Sequence, residues 1–275
     1  MIKRSGVEIM NDRTKNVSIA KETIEIIKRK SYTSPSGKTI DISDALNLAI
    51  SNTKYYDKDV EATTCFRIPK SIEIVNETAA TVAARWLAIG ITNVVALNFA
   101  SATCPGGGFV GGAIAQEEDL CRASGLYACI KNKPAFYNAN ILCDNHYYTD
   151  GVIYSPNVPF FRNDNKEFLE EPFFLSIITS PAPCVRNMEI VDKDKLASIL
   201  MYRSLNILKI AKENGHKNII LGAWGAGAFG NDPAQIATIF MDALKDVPVF
   251  ENVCFAVYDT KPEQPTYATF KEICL

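Results

Sequence analysis

Residues 93–127, NVVALNFASATCPGGGFVGGAIAQEEDLCRASGLY, decide the fold. An apolar run from Val94 to Leu97 enters a loop with three consecutive glycines, and the polar QEED beyond it opens a helical segment. A strand buried on both faces reads as such a continuous apolar run, and strand, glycine loop and helix in succession form the repeating unit of an α/β layered domain. Working upstream, NETAATVAARWLAIG predicts a helix with Asn or Thr as its cap and Gly90 at its end, and IEIVN (72–76) predicts a strand before it. Residues 15–60 read as helical on both sides of the breaker SPSG, which gives an N-terminal helical extension.

Working downstream, GVIYSPNVPFF and PFFLSIITS predict two strands separated by the polar RNDNKEFLEE. The segment DKDKLASILMYRSLNILKIAKENG predicts a long helix that ends at Gly215 and feeds the strand NIILGAW (218–224). A second glycine loop, GAGAFGNDP, then opens a helix over 233–245, and NVCFAVYD predicts a last strand. No internal repeat interrupts this order.

Composition narrows the function. With 29 basic and 31 acidic residues the net charge is −2, and 22% charged residues without a like-charge block argue against a basic nucleic-acid footprint. An anionic ligand is therefore expected to be held locally, not steered by global charge. The N-terminus lacks a signal-peptide core, and no stretch of about 18 apolar residues occurs, so a cytoplasmic protein without a membrane partner is expected. Eight cysteines without a CxxC pair, beside only His146 and His216, predict reduced, mostly buried thiols with no metal site and no cofactor.

Both glycine loops follow a strand and precede a helix, which places them at carboxyl strand ends, where open α/β sheets bind ligands. Glycines let backbone amides approach a phosphate, and two such loops suit a diphosphate. Gly225, Gly227 and Gly230 also match GxGxxG. A dinucleotide fold would need more βαβ structure than the 45 residues remaining, and an acid about 20 residues on; Asp259 comes 29 residues after Gly230. For Glu117 and Glu118 alone, the simplest reading is a pair of acids complementing a helix dipole.

The longer string changes that reading. GGG (106–108), seven residues, then Gln116, Glu117 and Glu118 resembles the signature of poly(ADP-ribose) glycohydrolases, the catalytic branch of the macrodomain superfamily. The likeness is strongest to the microbial type, and IYSPNVPFFR, ITSPAP and LGAWGAGAFGNDP follow as further landmarks in order. It implies a macrodomain-like three-layer α/β/α sandwich with a mixed sheet over 66–275, and a helical extension over 1–65 packed on it. The implied activity is hydrolysis of ribose to ribose O-glycosidic bonds. Its substrate is ADP-ribose on protein or nucleic acid, bound without sequence-specific nucleic-acid recognition. A mono-ADP-ribosyl hydrolase and a non-catalytic ADP-ribose reader are the alternatives.

The same resemblance implies roles by position. Glu118 is the catalytic acid and Glu117 holds a ribose hydroxyl. Gln116 completes the motif and belongs to the ADP-ribose site. Gly106, Gly107, Gly108 and Phe109, with Gly225, Ala226, Gly227, Ala228 and Phe229, wrap the diphosphate and distal ribose. Phe229 presses on that ribose, unless it folds into the core as loop aromatics often do. Asn98 is a ribose or adenine contact, or a backbone cap. Tyr258 or Asp259 flanks adenine, or faces solvent. Cys104 and Cys184 stand where the family commonly has asparagine, as a redox switch or as unreactive thiols.

Overall fold

The structure, a computed structural model, describes residues 3–57, 69–143, 145–186 and 188–275, with side chains from residue 12 onward. The chain begins with helix α1 (Lys3–Arg29), a small hairpin of β1 (Ser31–Thr33) and β2 (Thr39–Asp41), and helix α2 (Ser43–Asn52). Then comes β3 (Lys54–Tyr56), followed by β4 (Ser71–Val75), β5 (Val94–Phe99), β6 (Val152–Arg162), β7 (Phe168–Ser180), β8 (Asn218–Leu221) and β9 (Asn252–Ala256). Among the described residues these last seven form one sheet in the order β3-β6-β7-β5-β8-β9-β4. β7, β5, β8, β9 and β4 run parallel, whereas β6 is antiparallel to both of its neighbours.

Strand alternation divides the core into two layers. Val95, Leu97, Ile178, Ile219, Leu221, Val253 and Phe255 face one side, and Val94, Ala96, Ile177, Ile220, Cys254 and Ala256 face the other. Helices α7 (Lys193–Glu213), α8 (Pro233–Asp246) and α9 (Pro265–Cys274) cover the first side. Helices α3 (Ala79–Ala88), α4 (Gln116–Ala123), α5 (Leu126–Ile130) and α6 (Pro134–Leu142) cover the second. The result is the expected three-layer sandwich with a mixed sheet. Its helices start where the residues said: Thr78, Asp192 and Asp232 each accept an amide of the first turn of α3, α7 and α8, contacts worth about 1 kcal/mol apiece.

Several local expectations change. The N-terminal extension is not wholly helical, because SPSG closes the β1–β2 hairpin, and β3 pairs with β6 at the edge of the main sheet. The boundary placed at residues 65 and 66 lies outside the described residues, as does Cys65. The helical segment that QEED opens ends at Ala123, and the next residue, Ser124, bridges by its backbone to Phe160 of β6. The polar connection between β6 and β7 is shorter than expected, because Phe168–Glu171 already belong to β7.

Buried arginine fastens α1 to the core. Arg162, 1% exposed, donates to Thr23 Oγ1 at 2.7 Å, to the Arg122 carbonyl at 2.9 Å and to Glu22 at 2.7 Å, and lies over the Phe168 ring. Arg13 of α1 also donates to the Gly111 carbonyl, so the extension backs the first glycine loop. No helix among the described residues is long and apolar enough to cross a membrane.

Candidate active site

Because five strands are parallel, their carboxyl ends share one edge, and the segments after β5, β8 and β9 meet there around a cleft of about 730 Å³. That volume falls within the range of about 300–1,000 Å³ usual for ligand sites. Its walls include Ser101, Ile114 to Leu120, Ala223 to Phe229 and Ala256 to Lys261.

Glu117 and Glu118 occupy the first turn of α4, where the helix dipole favours an anion. Both are buried yet line the cleft. Glu118 Oε1 accepts the Gly108 amide at 2.8 Å and Oε2 accepts the Ala115 amide at 3.1 Å. Each oxygen keeps a lone pair for other partners. Glu117 accepts the Ser101 amide at 2.7 Å and the Asn98 amide nitrogen at 3.2 Å. Burial pushes the Glu117 carboxyl up to about 8, a rise that the amides of Ser101, Asn98 and Gly106 oppose and the neighbouring Glu118 charge reinforces.

That shift has a testable sign. In the unfolded chain a glutamate titrates near about 4.3. The folded protein binds this proton more tightly, so the stabilisation is fully present below the unfolded value and is lost as pH rises through about 8. Glu117→Gln removes the titration. Its thermal midpoint should therefore fall less than that of the unaltered protein between about pH 5 and about pH 8.5. Parallel melting curves across that window would contradict the assignment.

The first glycine loop packs on these acids. Gly108 donates to Glu118, and the Gly106 amide favours the charged form of Glu117. Gly107, at φ +55, packs so closely that an added Cβ would lie 2.4 Å from Glu118 Oε1 and 3.2 Å from Glu117 Oε2. Phe109, expected to wrap the substrate, is fully buried against Tyr127 in the core. Neither Phe109 nor Gly106 to Gly108 lines the cleft. The aromatic after GGG packs inward against Tyr127, beside the turn that seats the two carboxylates.

Two further expected contacts brace the site from within. Gln116 borders the cleft, but its carboxamide accepts the Phe99 amide and donates to the Leu97 carbonyl, both at 2.8 Å, locking α4 to β5. Asn98 is fully buried beneath Glu117 and also donates to Thr179. Its Oδ1 has no partner among the described residues; the amide turned over would offer that oxygen to a protonated Glu117.

The second glycine loop lines the cleft throughout, from Ala223 to Phe229. Its turn needs glycine at 225, where φ is +76 and a Cβ would strike Ala182 and Asn231. The amides of Gly225, Gly227, Ala228 and Phe229 have no acceptor among the described residues. From outside, Val185 and Arg186 donate their amides to the Phe229 carbonyl, and the Arg186 guanidinium donates to the Gly227 carbonyl at 2.7 Å. Phe229 is half-buried, its ring 6.2 Å from that of Tyr148.

Tyr258 lines the cleft at 64% exposure, whereas the Asp259 carboxylate accepts the amides of Lys261 and Thr266 and organises the start of α9. Cys104 is exposed, with its thiol on the Gly107 carbonyl at 3.3 Å. All seven described cysteines are free, four of them buried. Asp164 and Lys166, at the tip of the β6–β7 hairpin, went unnoticed in the sequence. Asp164 accepts the hydroxyls of Thr78 and Thr81, and Lys166 pairs with Asp119 at 3.2 Å, so the tip clasps the rim of the cleft. Only the turn composition of RNDNKE marked this segment.

A macrodomain-like sandwich with two glutamates fixed on backbone amides, opposite a loop of unpartnered amides, defines the class of protein. The match to microbial-type PARG, catalytic domain, spans residues 20–163. The chain resembles poly(ADP-ribose) glycohydrolase from Thermomonospora curvata, solved with the inhibitor ADP-HPD, at 39% identity and TM-score 0.88, covering 94% of this chain and 99% of that one. It also resembles poly(ADP-ribose) glycohydrolase from Deinococcus radiodurans, solved in complex with ADP-ribose, at 33% identity and TM-score 0.74, covering 84% and 98%. No curated protein matches the chain by sequence. The chain belongs to the microbial-type poly(ADP-ribose) glycohydrolase family.

Proposed function

We propose that the protein hydrolyses the ribose to ribose O-glycosidic bond of ADP-ribose chains and releases ADP-ribose. The observation that carries this reading is the pair of buried glutamates on one cleft wall facing, on the other, the amides of Gly225, Gly227, Ala228 and Phe229, which have no acceptor among the described residues. A reader of ADP-ribose needs the amides but not a carboxyl fixed at both oxygens. The second loop cradles the diphosphate, and Phe229 closes on the distal ribose. Glu118 gives a proton to the leaving oxygen while the glycosidic bond breaks. The resulting carboxylate then takes a proton from the water that attacks the distal ribose, and the substrate diphosphate stabilises the cationic transition state. Glu117 hydrogen-bonds a ribose hydroxyl. The free thiols support a cytoplasmic setting, and the chain's carrier is an ADP-ribosylated protein or nucleic acid.

Incubation with poly- and mono-ADP-ribosylated substrates, followed by quantification of free ADP-ribose, tests this. Release from the chains supports the proposal. Release from the mono-modified substrate alone points to a mono-ADP-ribosyl hydrolase, and release from neither points to a reader.

The diphosphate cradle has its own test at Gly227. A Cβ there meets nothing within 4 Å, and its φ lies outside the left-handed region, so Gly227→Val should fold normally. The branched side chain obstructs close approach of a phosphate to the neighbouring amides. Loss of one such charged hydrogen bond, about 1.5–3 kcal/mol, predicts a fall in ADP-ribose affinity of about tenfold or more by calorimetry. Unchanged affinity in the folded variant would refute the cradle.

A further inference from the structure

A second cavity, of about 330 Å³, is lined by Thr103, Asn140, Ile141, Asn145, His146 and Tyr148. The strand order explains its place. The main cleft spans the ends of β5, β8 and β9, while β7 and β6 continue the sheet on the far side of β5. β6 runs antiparallel to β7 and therefore begins at the same edge. Thr103 comes from the first glycine loop, and the other five residues come from α6 and the turn that leads into β6. Thr103 belongs to the loop in which the Cys104 carbonyl accepts the amide of Gly107, the residue set against both carboxyls. The Tyr148–Phe229 ring pair joins a wall of the cavity to a wall of the cleft.

This wall is held rigidly. Tyr148 sits at φ +61, a conformation that bulky residues rarely adopt and that persists where surrounding contacts over-determine it. Arg203 of α7, 1% exposed, donates to the carbonyls of Tyr147 at 2.6 Å and Tyr148 at 3.1 Å, and to Asp150 at 2.7 Å. Asn145 Oδ1 accepts the amides of Tyr147 and Tyr148. The His146 carbonyl accepts the Cys184 amide at 2.8 Å, which ties the turn to the segment that fastens Phe229 and Gly227. Asn140 and Asn145 are occupied within this frame. The Thr103 hydroxyl and the His146 ring are exposed, with no hydrogen-bond partner among the described residues.

We infer that this cavity is the leaving-side subsite, taking the adenosine whose ribose oxygen departs when the glycosidic bond breaks. The inference rests on the proposed chain hydrolysis. With diphosphate and adenine lying along residues 225–229 and the end of β9, the bond at the distal ribose points the other way, past Phe229 and the glycine loop toward β7 and β6. The Tyr148 ring offers a face to the base, and Thr103 and His146 offer polar groups to the sugar and phosphate.

Two variants test it: His146→Ala removes a wall, and Thr103→Trp fills the cavity. Both should lower kcat/KM for chain hydrolysis by about tenfold or more, while the Kd for free ADP-ribose stays within about twofold of the unaltered protein. Chain hydrolysis within about twofold of the unaltered protein in both folded variants would overturn the subsite, as would a fall in ADP-ribose affinity that matches the loss of turnover. Absence of any release by the unaltered protein would instead overturn the proposed function, and the subsite with it.

Discussion

Gly107→Ala is expected to remove most turnover while leaving a folded protein. The new methyl group would stand 2.4 Å from Glu118 Oε1, inside any normal contact, and 3.2 Å from Glu117 Oε2. Either the carboxylates or the loop must move. Displacing a catalytic group by about 1 Å can cost about 10²-fold in rate, and that is the expected loss in kcat. The left-handed backbone at φ +55 adds roughly 1–2 kcal/mol of strain, which a melting curve reads separately. Gly37→Ala is the control: its φ is +85 but a Cβ there meets nothing within 4 Å, so it should show the strain without the kinetic defect. Equal kinetics in the two variants would show that contact with the carboxylates does not matter.

Glu118→Gln carries the larger effect. The amide keeps the side chain's shape but cannot deliver a proton to the leaving oxygen or accept one from water, so turnover should fall by about 10²–10⁴. Its oxygen can take the place of only one of the two carboxylate oxygens that accept the Gly108 and Ala115 amides, and its nitrogen accepts neither, so one of these amides loses its acceptor. That costs about 1–3 kcal/mol of stability if the loop does not adjust. ADP-ribose affinity should change little, because the second loop carries it. Glu117→Gln separates the roles, since it should weaken substrate positioning, raising KM as well as lowering kcat.

The sequence made the site's parts legible where the signal is local. Strand β5 with its double-sided apolar run, the caps Thr78, Asp192 and Asp232, and the acids at the start of α4 are all set by near neighbours. Non-local pairing was not legible. β3 has three residues, and its place at the sheet edge depends on Lys54 facing Tyr154, about 100 positions on in the chain. Helix α9 starts on a proline after an Asp259-centred turn, with little periodicity to announce it. Which groups the glycine amides would meet was equally hidden. GGG reads the same whether its amides hold a phosphate or Glu118, and only the return of α4 against the loop decides for the carboxylate. Asn98 was marked by its place at a strand end and Gln116 by the motif, but neither showed what its amide would bind: Glu117, Thr179 and the backbone of β5.

The most direct measurement is the time course of free ADP-ribose released from purified poly(ADP-ribose), separated chromatographically, for the unaltered protein and Glu118→Gln side by side at matched fold and ADP-ribose affinity. Steady release by the unaltered protein is expected, with a rate lower by about 10²-fold or more in the variant. Near-equal rates in the two proteins would contradict the role given to Glu118, because the bond would then be broken without the carboxyl that the glycine loop holds in place.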